Sequence, residues 1–467
     1  MTAAAGGALP GFEFSSGRLV FGRGAADRLP ELVAELAGGG QGGARVFLVA
    51  GSSDRLSAPV AAALAAQGVA TTTFHVAKEP TVELVQEATA SAKAGGCGMV
   101  IGLGGGAVID TGKVRPINRW TPGAQWTDPL RLPSLTLDQA VSAMLSNGGD
   151  APDPLDFLEV VGRGLPITEP SVPYIACPTT AGVGRWVAGS LRGRNGAPPP
   201  ERLTAVTCSE VTKNAVLGAG DQKVSMRSPH LVPDVAVVDP LLTVSCPPTT
   251  TAYTGLDALV QCIEPFLTHL STPLSDLWAR EGIVYGARNL RTAFHEPNNL
   301  AAREAMALCG LFSGVALANS KVSAKSAAAL GRGGLTERTA QLGAVHGFAG
   351  VLGGMFPSAP HGAICGRLLA PCWRANAEAL EEGSPYAARM REVAAILVDR
   401  PGASVEEAHA WIVALTEELG VPGLSHFGMC EANIEVAVTK AATASSMQGN
   451  PVKLSHEVLA DILRAAL

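Results

Sequence analysis

The chain has 467 residues, 47% of them hydrophobic and 16% charged, with a net charge of −6, so it can hold two or three domains and is too acidic for a general nucleic-acid binder. No 18-residue apolar run free of charge occurs, and residues 1–10 lack a secretory or transit pattern, so a cytoplasmic chain without a membrane span is expected. Nine scattered cysteines with no Cys-x-x-Cys pair point to reduced thiols rather than a cysteine zinc site.

Residues 17–22 read as a strand and turn, and 26–36 have helical spacing of apolar side chains. Strand 46–50 ends at Gly51-Ser52-Ser53-Asp54; a helix over 58–66, a strand over 71–75, a helix over 82–94 and a strand over 98–102 follow. This alternation predicts a parallel sheet wound with helices. The last strand runs into Gly102-Leu103-Gly104-Gly105-Gly106-Ala107 and then Asp110 and Lys113. Glycines let backbone amides approach a phosphate at a helix N-terminus, so this loop is expected to cradle a pyrophosphate. A plain tight turn is the alternative.

Strand 174–177 leads into Pro178-Thr179-Thr180-Ala181-Gly182, whose hydroxyls can bond the phosphate, ribose or amide of a cofactor. Residues 216–224 read as a hairpin, with Lys223 a candidate ribose contact, and strand 235–240 closes an α/β domain over 1–245.

From 246 to 467 the pattern is helical: 249–266, 274–293, 301–319, 381–398, 405–419, 434–442 and 455–466. Asp257 and Gln261 are four apart and share a helix face. His346 and His361 bracket the Gly-rich turn Leu352-Gly353-Gly354. Together these four form a candidate metal site, expected in the cleft between the domains. Each histidine alone also reads as an ordinary packed one.

These motifs resemble the iron-containing (group III) alcohol dehydrogenase family, of dehydroquinate synthase-like fold. The resemblance covers nearly the whole chain. It rests on Gly104-Gly105-Gly106-Ala107-x-x-Asp110-x-x-Lys113, Pro178-Thr179-Thr180-Ala181-Gly182, Thr254-Gly255-x-Asp257-Ala258-Leu259, Pro360-His361-Gly362 and Ser446-Met447-Gln448-Gly449-Asn450-Pro451. It implies hydride transfer between NAD or NADP and an alcohol, aldehyde or ketone, assisted by a divalent metal, iron or zinc, with a homodimer as a family habit. The family's ligands are one Asp and three His; here Asp257, His346 and His361 fill three places and Gln261 the fourth. A family His tied to proton transfer corresponds to Gly350, so no catalytic acid is assigned. Where the family often has Asp at the first strand-end, this chain has Gly51-Ser52-Ser53, with Arg55 nearby, which leans towards NADP. The alternatives are a metal-independent reductase similar to maleylacetate reductases, and a non-catalytic member.

Three segments interrupt this pattern: 114–139, 185–208 and 322–341. The first carries Pro116, Pro122, Pro129 and Pro133 where a helix should continue, and one interior proline costs roughly 3 kcal/mol. The second places Pro198-Pro199-Pro200 inside the threonine loop, and the third enters the helix that should present His346. Val114 and Val322 allow a GT start, and Gln139 and Gln341 an AG end. For the middle segment, Arg185-Trp186 and Cys208-Ser209 can supply both across codon boundaries. The segments are read as introns retained in the coding sequence; genuine surface insertions are the alternative. If they are introns, the protein from its native source should be lighter than 47.7 kDa by roughly 7 kDa, pro rata for 70 of 467 residues. An intact mass of 47.7 kDa would establish genuine insertions.

Overall fold

A computed structural model describes residues 17–38, 44–77, 81–113, 163, 172–180, 209–212, 214–219, 222–319 and 342–467. The segments 114–139, 185–208 and 322–341 lie outside the described residues.

Six parallel strands form the N-terminal sheet: β1 (Arg18–Phe21), β2 (Arg45–Ala50), β3 (Ala70–His75), β4 (Met99–Gly104), β5 (Tyr174–Pro178) and β8 (Val235–Val238), in the order β1-β8-β5-β4-β2-β3. The central strands β4 and β5 are buried at every residue, whereas the edge strand β3 has no buried residue. Strands covered on both faces need apolar side chains at successive positions, not alternate ones. The two-residue period still sorts them. Val46 and Leu48 of β2 pack with Leu29, Leu32 and Leu64, from α1 (Leu29–Leu36) and α2 (Asp54–Ala66). Phe47 and Val49 pack on the other face with Ala88, Ala92 and Val108, from α3 (Val82–Ala94) and α4 (Gly106–Lys113). The expected hairpin is present and wider, pairing β6 (Asn214–Ala219) with β7 (Gln222–Arg227) antiparallel.

From Pro248 onward the described chain is helical. α5 (Pro248–Leu267) is buried at every residue from Thr251 to Leu267. A helix buried on every side belongs at the centre of a core. Around it pack α6 (Pro273–His295), α7 (Leu300–Asn319) and α9 (His361–Ala379), with α8 (Ala344–Met355) against α9. α10 (Pro385–Leu397), α11 (Val405–Glu418), α12 (Glu431–Ala442) and α13 (His456–Ala466) complete the bundle. α7 is long and apolar enough to cross a membrane, but 67% of its apolar window is buried in the helical core. Its Arg303 is buried and bonded to Thr251 Oγ1 at 2.8 Å and to the Pro297 carbonyl at 2.8 Å.

One expectation needs correction. Gly353 and Gly354 are not a turn: α8 runs through them to Met355, and the break falls over residues 356–360, where Pro357 and Pro360 stand. α9 continues through Pro371, and its buried face docks on α5. That docking is close. A Cβ at Gly362 would sit 2.1 Å from the Tyr253 carbonyl oxygen. Gly362→Ala should therefore push α9 off α5 and cost about 1–3 kcal/mol, read as a lower unfolding midpoint.

Candidate metal centre and cofactor loops

Asp257 lies mid-way along α5 and is fully buried. His346 is on the first turn of α8, and His361 is the first residue of α9. The close approach at Gly362 brings His361 to α5, with its Nε2 3.9 Å from Asp257 Oδ2. His346 Nε2 lies 3.2 Å from Asp257 Oδ1. The two imidazole rings are 5.6 Å apart, tilted by 55°. Three of the four expected ligands are thus brought together.

Gln261 is buried one turn further along α5, and its Nε2 donates to Ser313 Oγ on α7 at 3.3 Å. The cluster contains a residue the sequence reading missed. Cys365, four after His361 on α9, has its Sγ within 4.8 Å of donor atoms of Asp257, His346 and His361. Burial first, then the charges of Asp257 and Glu264, push its thiol well above the usual range.

Glu264 was also missed. It stands seven residues after Asp257, two helical turns along the same face. Its Oε2 lies 2.6 Å from His346 Nδ1, and its Oε1 accepts from the Val345 N–H at 2.8 Å. Asn450 Oδ1 accepts from the Ala344 N–H at 3.1 Å. Gly343, before α8, has no capping side chain, so these distant residues satisfy its first amides. The same bond fixes the His346 ring with Nε2 towards Asp257, the carboxylate–histidine arrangement common around bound metals.

The electrostatics fit a cation. Asp257 Oδ2 is buried and has no hydrogen-bond partner among the described residues. Burial alone would lower the His346 pKa, but Asp257 and Glu264 outweigh it and raise it to about 10. Without metal the imidazolium supplies the positive charge that two buried carboxylates require.

The cofactor candidates lie at the carboxyl ends of the strands. Gly104 ends β4 and Gly106 begins α4, so the amides of Gly105, Gly106 and Ala107 sit at a helix N-terminus. A Cβ at Gly104 would be 2.5 Å from Val108 Cγ2, so this turn requires glycine. Asp110 is buried within α4, which Tyr174 braces through a 2.9 Å bond to the Ile109 carbonyl. At the end of the neighbouring β5, Thr179 and Thr180 are buried; the Thr179 N–H donates to the Gly104 carbonyl at 3.0 Å. Thr180 Oγ1 has no partner among the described residues.

Gly51 follows β2, and a Cβ there would meet nothing within 4 Å. Ser52 beside it is exposed, and Ser53 caps α2. The Gly51 carbonyl lies 2.6 Å from His75 Nδ1, and Arg55 bonds Ser245. Lys223 lies in β7, whose hairpin packs between α4 and α8 and so links the glycine loop to the histidine helix. Gly350, one turn after His346, is exposed, with nothing within 4 Å of a Cβ.

The family profile described as iron-containing alcohol dehydrogenase matches residues 16–117, and the profile of its C-terminal part matches 251–334 and 323–467. The chain belongs to the iron-containing alcohol dehydrogenase family. Within that family, 1,3-propanediol dehydrogenase of Klebsiella pneumoniae is 32% identical over 271 residues, 56% of this chain. The matched region spans 63% of that relative's length. The solved 1,3-propanediol oxidoreductase superposes with a TM-score of 0.74 at 25% identity, covering 98% of this chain and 100% of its own. Sulfoacetaldehyde reductase from Bifidobacterium kashiwanohense, solved with NAD+, shares the fold with a TM-score of 0.73 at 23% identity, covering 98% of this chain and 99% of its own. The N-terminal profile match stops just inside segment 114–139, and the C-terminal match breaks within 322–341.

The metal-free chain should show the His346 proton directly. Its raised pKa stabilises the fold fully below about 6.5, and that stability is lost as pH rises through about 10. A bound cation displaces this proton, so metal affinity should weaken by at least about tenfold per unit as pH falls from 9 to 6. Metal titrations across that range check it; a flat affinity would contradict the His346 role.

Proposed function

We propose that the chain is an NAD(P)-dependent alcohol dehydrogenase or aldehyde and ketone reductase assisted by a divalent metal. The observation that carries this is the buried Asp257 carboxylate, facing two imidazoles with one oxygen unpartnered. Asp257, His346 and His361 would hold the ion, iron or zinc. Bound there, the ion supplies Lewis acidity for the substrate oxygen, and the nicotinamide supplies the hydride.

The chain's residues have separate tasks. Glu264 holds His346 in one orientation. The amides at Gly105, Gly106 and Ala107 cradle the pyrophosphate. Thr179 and Thr180 bond the cofactor beyond it, with Lys223 a further contact and Asp110 in the helix that follows the loop. Gly51 presents no carboxylate to the adenosine ribose, which supports NADP over NAD. Gly350 offers no proton donor, so the proton of the reduced oxygen comes from water or from a group still to be assigned. The mostly buried thiols among the described residues support a cytoplasmic setting. The interruptions of the profile matches near 114–139 and 322–341 support inserted segments there, as either introns or insertions would give.

The metal-independent reading has two observations in its favour: Gln261 is engaged with Ser313 and Gly350 is bare. A single experiment separates the two. Reduction of short aldehydes is followed with NADPH and NADH before and after chelation. Chelation should lower turnover at least about a hundredfold, restored by zinc or ferrous iron, with NADPH preferred. Full turnover after chelation would establish the metal-independent reductase.

A further inference from the structure

We propose that Cys365, not Gln261, is the fourth protein ligand of this metal centre, giving an Asp-His-His-Cys site. The proposal rests on the metal-assisted reading above and names the donor that completes it.

The donor separations can be set against those of a tetrahedral site. Zinc bonds of about 2.0–2.1 Å to nitrogen or oxygen and about 2.3 Å to sulfur imply donor separations of about 3.3–3.6 Å. His346 Nε2 and Asp257 Oδ1 are 3.2 Å apart, and His361 Nε2 and Asp257 Oδ2 3.9 Å apart. The Cys365 sulfur lies within 4.8 Å of donor atoms of all three, close enough for the four to share one ion. His361 and Cys365 are four apart on one helix, which sets both donors on one face of α9.

A buried thiol is ordinarily a small core hydrophobe. Here it faces a carboxylate oxygen and two imidazoles, which is a poor apolar environment and a good ligand set. Gln261, by contrast, has its amide nitrogen on Ser313, whose hydroxyl is itself bonded to the Gly310 carbonyl at 2.7 Å. That chain holds the amide nitrogen against α7. A neutral amide oxygen is also a weaker donor than a thiolate for zinc or ferrous iron. The exchange is self-consistent: the imidazole expected on α5 is absent, and a sulfur enters from α9.

The test is cobalt loading of the metal-free full chain. One Co(II) should bind, with visible d–d bands and a near-ultraviolet thiolate-to-cobalt charge-transfer band. Cys365→Ser should abolish the charge-transfer band and weaken binding at least about tenfold, while Gln261→Ala should keep the band. Zinc absorption-edge spectroscopy on the unsubstituted chain gives the same answer without a variant: one sulfur at about 2.3 Å. Cobalt bound with d–d bands but no charge-transfer band, or an all-nitrogen-and-oxygen zinc shell, would overturn the Cys365 assignment and leave the metal reading intact. Failure to bind cobalt or zinc at all would overturn both.

Discussion

Two carboxylates inside one helix govern the helical half of this molecule. Asp257 and Glu264 sit on the same face of α5, at 0% and 7% exposure. Buried charge is tolerated only where it is paired and hydrogen-bonded. The partners come from elsewhere in the chain, and bringing them in fixes how the helices dock. His346 stands between the two, one ring nitrogen towards each. The N-terminus of α8 meets Glu264 through the Val345 amide, which places the positive end of a helix dipole on that carboxylate. Asn450 takes the next amide, and Asn376 on α9 bonds Asn450 in turn at 2.7 Å. Glycine at 362 lets α9 come close enough for His361 to reach Asp257. Charge compensation, capping and close packing therefore converge on one point.

The sheet half solves a different problem. Its strands deliver loops to one edge, and those loops carry little charge. The turn at Gly104 and the buried hydroxyls of Thr179 and Thr180 offer amides and oxygens suited to phosphate and sugar. The β6–β7 hairpin lies against both α4 and α8, so the candidate cofactor loop and the histidine helix share a neighbour. Hydride transfer demands that cofactor and substrate be held within contact distance. A common brace is a direct way to keep that register.

Much of this was legible in the residues. The alternation of apolar runs with helical spacing gave the parallel sheet. Asp257, His346 and His361 stood out because chemistry-bearing residues sat beside glycines in otherwise apolar stretches. What escaped was what depends on tertiary neighbours. Gly353 and Gly354 signal a turn locally, yet α8 holds them in a helix because its buried face is continuous with the core. Pro371 signals a break, yet packing on α5 outweighs the one hydrogen bond it removes. Glu264 reads as a helix-end carboxylate until α8 arrives to need it. Cys365 reads as an apolar core residue until the helices are assembled. Spacing carried a signal for both: seven from Asp257 and four from His361.

The exchange at the fourth position has a chemical consequence. One aspartate and three neutral imidazoles around a divalent ion leave a net charge of +1. With Cys365 as thiolate in place of one imidazole, the set sums to zero. A neutral centre attracts electron density from a carbonyl oxygen less strongly, and it also holds a developing alkoxide less tightly. Thiolate favours zinc or ferrous iron over magnesium or manganese, so the same substitution narrows the choice of metal. It also makes the site sensitive to oxidation, since the ligand sulfur is the atom an oxidant would attack. Seven of the eight cysteines among the described residues are buried. Cys365 is the one set among metal-type donors, so oxidative loss of activity would be traced to that sulfur and to release of the ion it holds.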